Sequence, residues 1–157
     1  MTALTINNDH PPYRWIEEER EKMNLFTLDE NHQPVRVLEP FMTHDERMDA
    51  IKGWSQWYDK EENRRVGFER LSESPVVDIS TVCLGSGLSY SGKYEAAVFI
   101  DGVFNNGFRC ETWEEAEKLH LVLVEEFKKL LPNIGNKNGI PLYPENFSQM
   151  LRDRISS

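Results

Sequence analysis

Residues 83–102 read CLGSGLSYSGKYEAAVFIDG, and the fold turns on how this stretch is taken. Within it, Gly87 to Lys93 spells G-L-S-Y-S-G-K, which fits the G-x-x-x-x-G-K core of a phosphate-binding loop. Such a loop needs a strand before it and a helix after it, so that backbone N–H groups and the helix N-terminus meet the phosphates. A strand pattern does precede it. After Lys93, however, the chain continues as YEAAVFIDG, a second strand pattern that ends in an Asp-Gly turn signal. The residue after Lys93 is Tyr94, where a phosphate loop places the Ser or Thr that holds Mg²⁺. The stretch therefore reads as a Gly/Ser connection between two antiparallel strands, not as a nucleotide site.

The neighbouring sequence extends the same pattern. RRVGFERL (64–71) and the β-branched VVDISTVCL (76–84) read as strands, KYEAAVFI (93–100) as a third and FRCE (108–111) as a fourth. Asp101-Gly102 and Asn106-Gly107 are both turn signals. Connections this short exclude parallel pairing, which needs a crossover of about a dozen residues or more. After the strands, Thr112 and Glu115 have the spacing of a capping box, and a helix is predicted over 113–131. Glutamates 114, 115 and 117 load its start, and Lys128 and Lys129 its end, as the helix dipole favours. Its apolar stripe is Trp113, Ala116, Leu119, Leu123, Phe127 and Leu130, with Pro132 as the stop.

Upstream, a short charged helix is predicted over 14–23 after an arm at 1–12, and FTLDENHQPVRV (26–37) reads as two short strands around a polar turn. Thr43 and Glu46 form a first capping box for a helix near 45–59, where Met48, Ile51, Trp54 and Tyr58 recur at helical spacing. A C-terminal extension over 132–157 ends in a short helix near 145–155. The predicted fold is one α+β domain over 1–157: an antiparallel sheet of four or more strands against the long helix, with the smaller helices around it. Strand 93–100 is apolar on both faces, with Tyr94, Ala96, Val98 and Ile100 on one and Ala97 and Phe99 on the other. Leu121 and Val122 also interrupt the polar side of the long helix. Both features call for cover beyond one helix, supplied either by the 45–59 helix or by a second copy of the chain, so a homo-oligomer, most simply a dimer, is expected.

With 157 residues the chain is long enough for a real core. Its 27 Asp and Glu against 18 Lys and Arg give a formal charge of −9. That argues against a broad grip on nucleic acid, which needs clustered cations. Two cysteines are too few for a disulfide scaffold. No apolar signal core or run of about 20 apolar residues occurs, so a reduced cytoplasm is expected and no membrane partner.

Few motifs carry chemistry. Glu117 and His120 have the E-x-x-H spacing of di-iron bundles, yet no second such pair accompanies them, and a zinc site would need further ligands. No metal or cofactor is expected. His120 falls in the apolar stripe and reads as a buried, hydrogen-bonded histidine whose partner is Ser80, Thr81 or Glu95. Cys83 and Cys110 read as small apolar strand residues. Trp54, Trp57 and Tyr58 offer either packing or a stacking surface, and Tyr90 with Lys93 lies on the Gly/Ser connection where an aromatic is less easily explained by a core. The candidate binding residues are thus Tyr90, Lys93, Glu95, Trp57 and His120, with no catalytic set assigned.

From about Phe26 to Phe127 the chain resembles a family of small uncharacterised proteins of tailed bacteriophages and prophages. The resemblance rests on Leu28-Asp29 with Pro34-Val35, the Trp54/Trp57 pair, and I-S-T-V-C-L-G at 79–85. It continues in Y-E-A-A-V-F at 94–99 and in T-W-E-E-A-E with His120. Where the family often continues L-G with a short D-H or N-H segment, this chain has Ser86-Gly87, so that histidine is missing. The resemblance implies phage or prophage origin and expression in the bacterial host cytoplasm, and brings no activity with it. The function expected is binding: inhibition of a host protein or sequestration of a small molecule. The alternatives are a small hydrolase-like enzyme with an acid/base site around Glu95 and His120, or a virion accessory protein.

Overall fold

The structure is a computed structural model that describes residues 24–87, 92–134 and 143–157. The helix expected over 14–23, the 1–12 arm and Tyr90 lie outside the described residues. In chain order the elements are β1 (Asn24–Leu28), β2 (Pro34–Arg36), α1 (His44–Tyr58), α2 (Glu61–Arg64), β3 (Arg65–Glu73), β4 (Val76–Cys83), β5 (Ser86–Gly87), β6 (Tyr94–Ile100), β7 (Val103–Cys110), α3 (Trp113–Leu130), a 3₁₀ turn (Leu131–Asn133) and α4 (Phe147–Ser156). The described residues fall into two compact units, one built from Arg65–Cys83 and those from Tyr94 onward, the other from those between Asn24 and Arg64 with those of Leu84–Lys93.

The first unit is the predicted α+β assembly. Its four strands run antiparallel in the order β3-β4-β6-β7. Alternation decides its faces. Val77, Ile79, Thr81 and Cys83 are buried, whereas Asp78, Ser80 and Val82 between them are only half-buried. Helix α3 lies across the buried face, with Ala116, Leu119, Leu123 and Phe127 inward. Trp113 and Leu130, also assigned to the stripe, sit at its half-buried ends. Helix α4 packs on α3, where Phe147 meets Phe127 edge-on at 6.3 Å between ring centres. Arg154 ties the same pair of helices together, with Nη1 donating to Glu126 at 2.6 Å and Nη2 to Glu125 at 2.8 Å.

Several local expectations change. The 64–71 strand begins at Arg65, after the one-turn α2, and runs on to Glu73. The last strand is twice the length of the predicted 108–111, and Asn106-Gly107 is not a turn but lies inside it. Asp101-Gly102 makes the reversal instead, with φ of 50° and 78°, the positive pair that a two-residue hairpin turn requires. Once that turn closes β6 on β7, the second signal is overridden by pairing of Asn106 with Val98 and Gly107 with Ala97. A register shift opposite Val98 and Phe99 leaves Asn105 as the extra residue of a bulge. The Thr112 hydroxyl accepts from Glu115 N at 3.1 Å, but the return bond of a full capping box does not form among the described residues. Val122 is buried and not on the polar side with Leu121, because it stands three residues from Leu119 and shares that flank; Leu121 alone projects, 68% exposed.

The second unit holds the three-stranded sheet β2-β1-β5 and α1. The β1–β2 hairpin closes on Asp29, whose Oδ1 accepts from Asn31 N at 2.8 Å and Gln33 N at 2.9 Å. Here both halves of the Thr43/Glu46 capping box are made. Trp54 fastens α1 to the sheet: its Nε1–H lies 3.2 Å from Phe26 O and 2.9 Å from Gly85 O. Gly85 has φ of 68°, and a Cβ there would stand 3.1–3.3 Å from Tyr58, Trp54 and Trp57, so the backbone passes under the three rings where only glycine fits.

Candidate functional site

Of the five candidate residues, Tyr90 lies outside the described residues, Trp57 and Lys93 belong to the second unit, and Glu95 and His120 to the first. His120 reaches from α3 to the buried face of the first unit's sheet, where Nδ1 and Thr81 Oγ1 share a 2.7 Å hydrogen bond. The structure thus selects Thr81 from the three partners the sequence left open. The selection comes from alternation: Thr81 points toward the helix, whereas Ser80 and Glu95 point away. His120 is 7% exposed and Thr81 fully buried. Burial holds the imidazole pKa below its ordinary value, with Glu69 on β3 opposing the shift, so the ring is neutral at pH 7. Its far edge lies against β3, where Gly67 allows the ring to approach within a distance that no Cβ would tolerate.

Glu95 stands on the other face of the same sheet. Its carboxylate accepts from Arg109 Nε at 3.0 Å, directly across from it on β7. A strand's thickness therefore separates Glu95 from His120, and each is engaged elsewhere. Two rows away on that face Arg70 grips Asp78 with a fork of hydrogen bonds, Nε at 2.8 Å and Nη2 at 3.0 Å. The guanidinium holds the Asp78 carboxyl below the usual carboxylate range, chiefly through that hydrogen bond. Glu95 and Asp78 are consequently held in two separate cross-strand ion pairs, not arranged as an acid and a base facing a shared space.

Tyr94 is a buried polar group that the sequence did not single out beyond its packing. Its ring is fully buried, edge-on to Trp113 at 6.2 Å, and its hydroxyl has no hydrogen-bond partner among the described residues. It is flanked by Cys83 on β4 and Cys110 on β7, both at its own level in the sheet. Desolvation raises the Tyr94 pKa strongly, and pushes the Cys110 thiol up to about 12. Both thiols are buried and neither is part of a disulfide. Separated by the whole of β6, they stand two strand spacings apart, roughly 9–10 Å, beyond disulfide reach. A thiol this far from ionising is no nucleophile at neutral pH. Among the described residues no group of three or more His, Cys, Asp and Glu could hold a metal ion.

Trp57 and Lys93 belong to the second unit. Lys93 O accepts from Leu84 N at 2.8 Å, pinning the base of the 84–93 connection. Trp57 lies against Gly85 one residue further on. The chain then enters β6 at Tyr94 directly, so the helix that a phosphate loop requires after Lys93 is replaced by a strand. Around Trp57 the structure assembles an aromatic shelf. Trp54 stacks on Tyr58 at 4.9 Å and 28°, and the Arg64 guanidinium sits 3.9 Å above the Tyr58 ring while its Nε donates to Tyr58 O. Helix α1 nonetheless has no fully buried residue, so two tryptophans and a tyrosine all keep part of their surface in water. Arg64 was missed from sequence, because its position over Tyr58 depends on the one-turn α2 that the strand pattern of 64–71 concealed.

Compared with family models, with curated proteins and with solved structures, the chain matches none.

Proposed function

We propose that this protein acts by binding and not by catalysis, as an inhibitor of a host protein, and that it is phage- or prophage-encoded, works in the bacterial cytoplasm and self-associates as a dimer. The phage origin rests on the resemblance over 26–127. The observation that carries the binding reading is the shelf of Trp54, Trp57, Tyr58 and Arg64 on a helix that buries none of its residues. Trp, Tyr and Arg are the residue types that dominate binding energy at protein interfaces, because they bring large area at little rotamer cost. A protein partner suits these residues better than a small molecule, since Trp57, Tyr58 and Arg64 are partly exposed and are of the types enriched at protein interfaces. The hydrolase-like alternative loses its support from Glu95 and His120, which lie on opposite faces of one sheet and are each held by another residue.

The test is affinity capture with the full chain from host lysate, followed by mass spectrometry of the protein and small-molecule fractions, in parallel with Trp57→Ala. The reading expects a host protein captured by the native chain and lost by the variant. Equal capture by both, or a small molecule retained with no protein, would overturn it.

A further inference from the structure

Two polar groups of the first unit make no hydrogen bond to any described residue, and the register places them side by side. One is His120 Nε2, since the ring's hydrogen bond to Thr81 is made by Nδ1. The other is the carboxylate of Glu69, which stands exposed on β3. Gly67 pairs with Thr81 and Glu69 with Ile79, so both positions lie on the face that α3 covers. Two residues apart on one strand, they are separated by roughly 7 Å, a gap that a glutamate side chain and one hydrogen bond span. Gly67 keeps the space beside the ring open, because a Cβ there would stand 2.7 Å from Nε2. Strand β3 is also the edge of its sheet, and no further strand pairs with it among the described residues.

The other groups around the ring offer no competing partner. Strand β4 presents Val77, Ile79 and the Cys83 thiol, and β6 presents Ala96, Val98 and the Tyr94 phenol, which desolvation keeps protonated. Glu117 lies one turn before His120 on α3 but accepts from the Trp113 indole. Arg65 and Arg70 pair with Val82 and Asp78 on the opposite face, and Arg154 of α4 is engaged by Glu125 and Glu126 further along α3.

We propose that His120 and Glu69 form a proton-operated latch between α3 and the sheet edge. When the ring takes up a proton from solvent, Nδ1–H stays on Thr81 Oγ1 and Nε2–H donates to the Glu69 carboxylate across the bare Cα of Gly67. The seam is then fastened by one hydrogen bond at neutral pH and by a second, charge-assisted one in acid. Burial disfavours the imidazolium, and Glu69 is the group that opposes it. The latch therefore limits the stability that the fold loses on acidification without reversing the loss.

Proton NMR of the imidazole Cε1–H across pH tests it, on the full native chain and on Glu69→Gln and Glu69→Asp. The His120 resonance is identified by its loss in His120→Asn. Glu69 is exposed, so both variants are expected to keep the native circular dichroism at neutral pH. The native ring is expected to titrate while the chain is still folded. Glu69→Gln should lower its proton affinity roughly two- to fivefold, the size of an ion pair near a protein surface. Glu69→Asp keeps the charge but shortens the side chain, and should give most of the same loss. An affinity unchanged in Glu69→Gln overturns the latch. So does a native affinity in Glu69→Asp, which would reduce Glu69 to a diffuse field with no bond to the ring. A ring that stays neutral until the chain unfolds overturns it as well.

Discussion

Replacing Gly67 by alanine should damage this protein more than its surface position on an edge strand suggests. A Cβ at this position would stand 2.7 Å from His120 Cδ2 and Nε2 and 2.9 Å from Cε1. Carbon atoms in van der Waals contact lie at about 3.5–4.0 Å, so ring or backbone must yield by roughly 1 Å. The ring has little freedom to do so, because Nδ1 is anchored to Thr81 at 2.7 Å and the residue is 7% exposed. Overpacking of this kind costs about 1–3 kcal/mol. If the ring swings away, the Thr81 hydroxyl is left buried without a partner, at about 1–3 kcal/mol. The strand's intrinsic preference for alanine over glycine offsets roughly 0.5–1 kcal/mol. Whichever way the clash is relieved, the net expectation is a loss of up to about 2.5 kcal/mol in urea unfolding, with tryptophan fluorescence as the probe. In a His120→Ala background the space is vacated, and the same substitution should cost less than about 1 kcal/mol, a coupling that a double-mutant cycle isolates. A Gly67→Ala variant as stable as the native chain, or an equal loss in both backgrounds, would refute the account of why glycine stands here.

The same geometry sets three further outcomes. Tyr94→Phe removes a hydroxyl that is buried without a partner among the described residues, so thermal unfolding should show the variant as stable or up to about 1 kcal/mol more stable; a clear loss would mean the hydroxyl is satisfied after all. His120 has a folded pKa below its unfolded value near 6.5, so the unfolded chain takes up a proton that the folded chain refuses. Its contribution is complete above about pH 6.5 and is lost as pH falls from there toward the depressed folded value, at up to about 1.4 kcal/mol per pH unit. His120→Asn should flatten that part of the pH–stability curve, and an unchanged slope in the variant would place the titration elsewhere. Trp54→Phe deletes the indole N–H that bonds Phe26 O and Gly85 O, and should cost about 1–2 kcal/mol, with faster amide exchange at Phe26 as its local signature; unaltered exchange there would contradict the anchoring role.

Much of the fold was legible because its signals are local and mutually consistent. Thr112, the glutamates after it, the Ala116–Phe127 stripe and Pro132 all bear on one helix and agree, and α3 ends within a residue of its prediction. Strand β4 was equally plain, since Val77, Ile79, Thr81 and Cys83 alternate with more polar neighbours. The failures came where two local signals competed. Asn106-Gly107 and Asp101-Gly102 are both good turns, and only the length of strand that β6 can pair decides between them. Arg64 read as strand because apolar alternation continued from 66 onward, while the one-turn α2 is held by contacts such as that of Asn63 with Trp57 O. Of the candidate site, Trp57 with Tyr58 was visible as aromatic spacing on one helix. The addition of Arg64 and Gly85 to it was not, because both arrive from other segments.

The stretch at 83–102 marks the division most clearly. Its sequence alone excludes a phosphate loop, since YEAAVFI alternates with a period of two and ends in Asp-Gly, and no tertiary contact is needed to see that a helix will not come after Lys93. The same kind of reading assigns His120 to a buried stripe and Glu95 to a strand. What it does not contain is which side of the sheet α3 covers. That choice sets Thr81 against His120, turns Glu95 toward Arg109, and leaves Phe68 and Phe104 on the outer face. Periodicity fixes the residues that share a face, but the identity of the neighbour across that face is a property of packing, where elements distant in the chain compete for the same apolar surface.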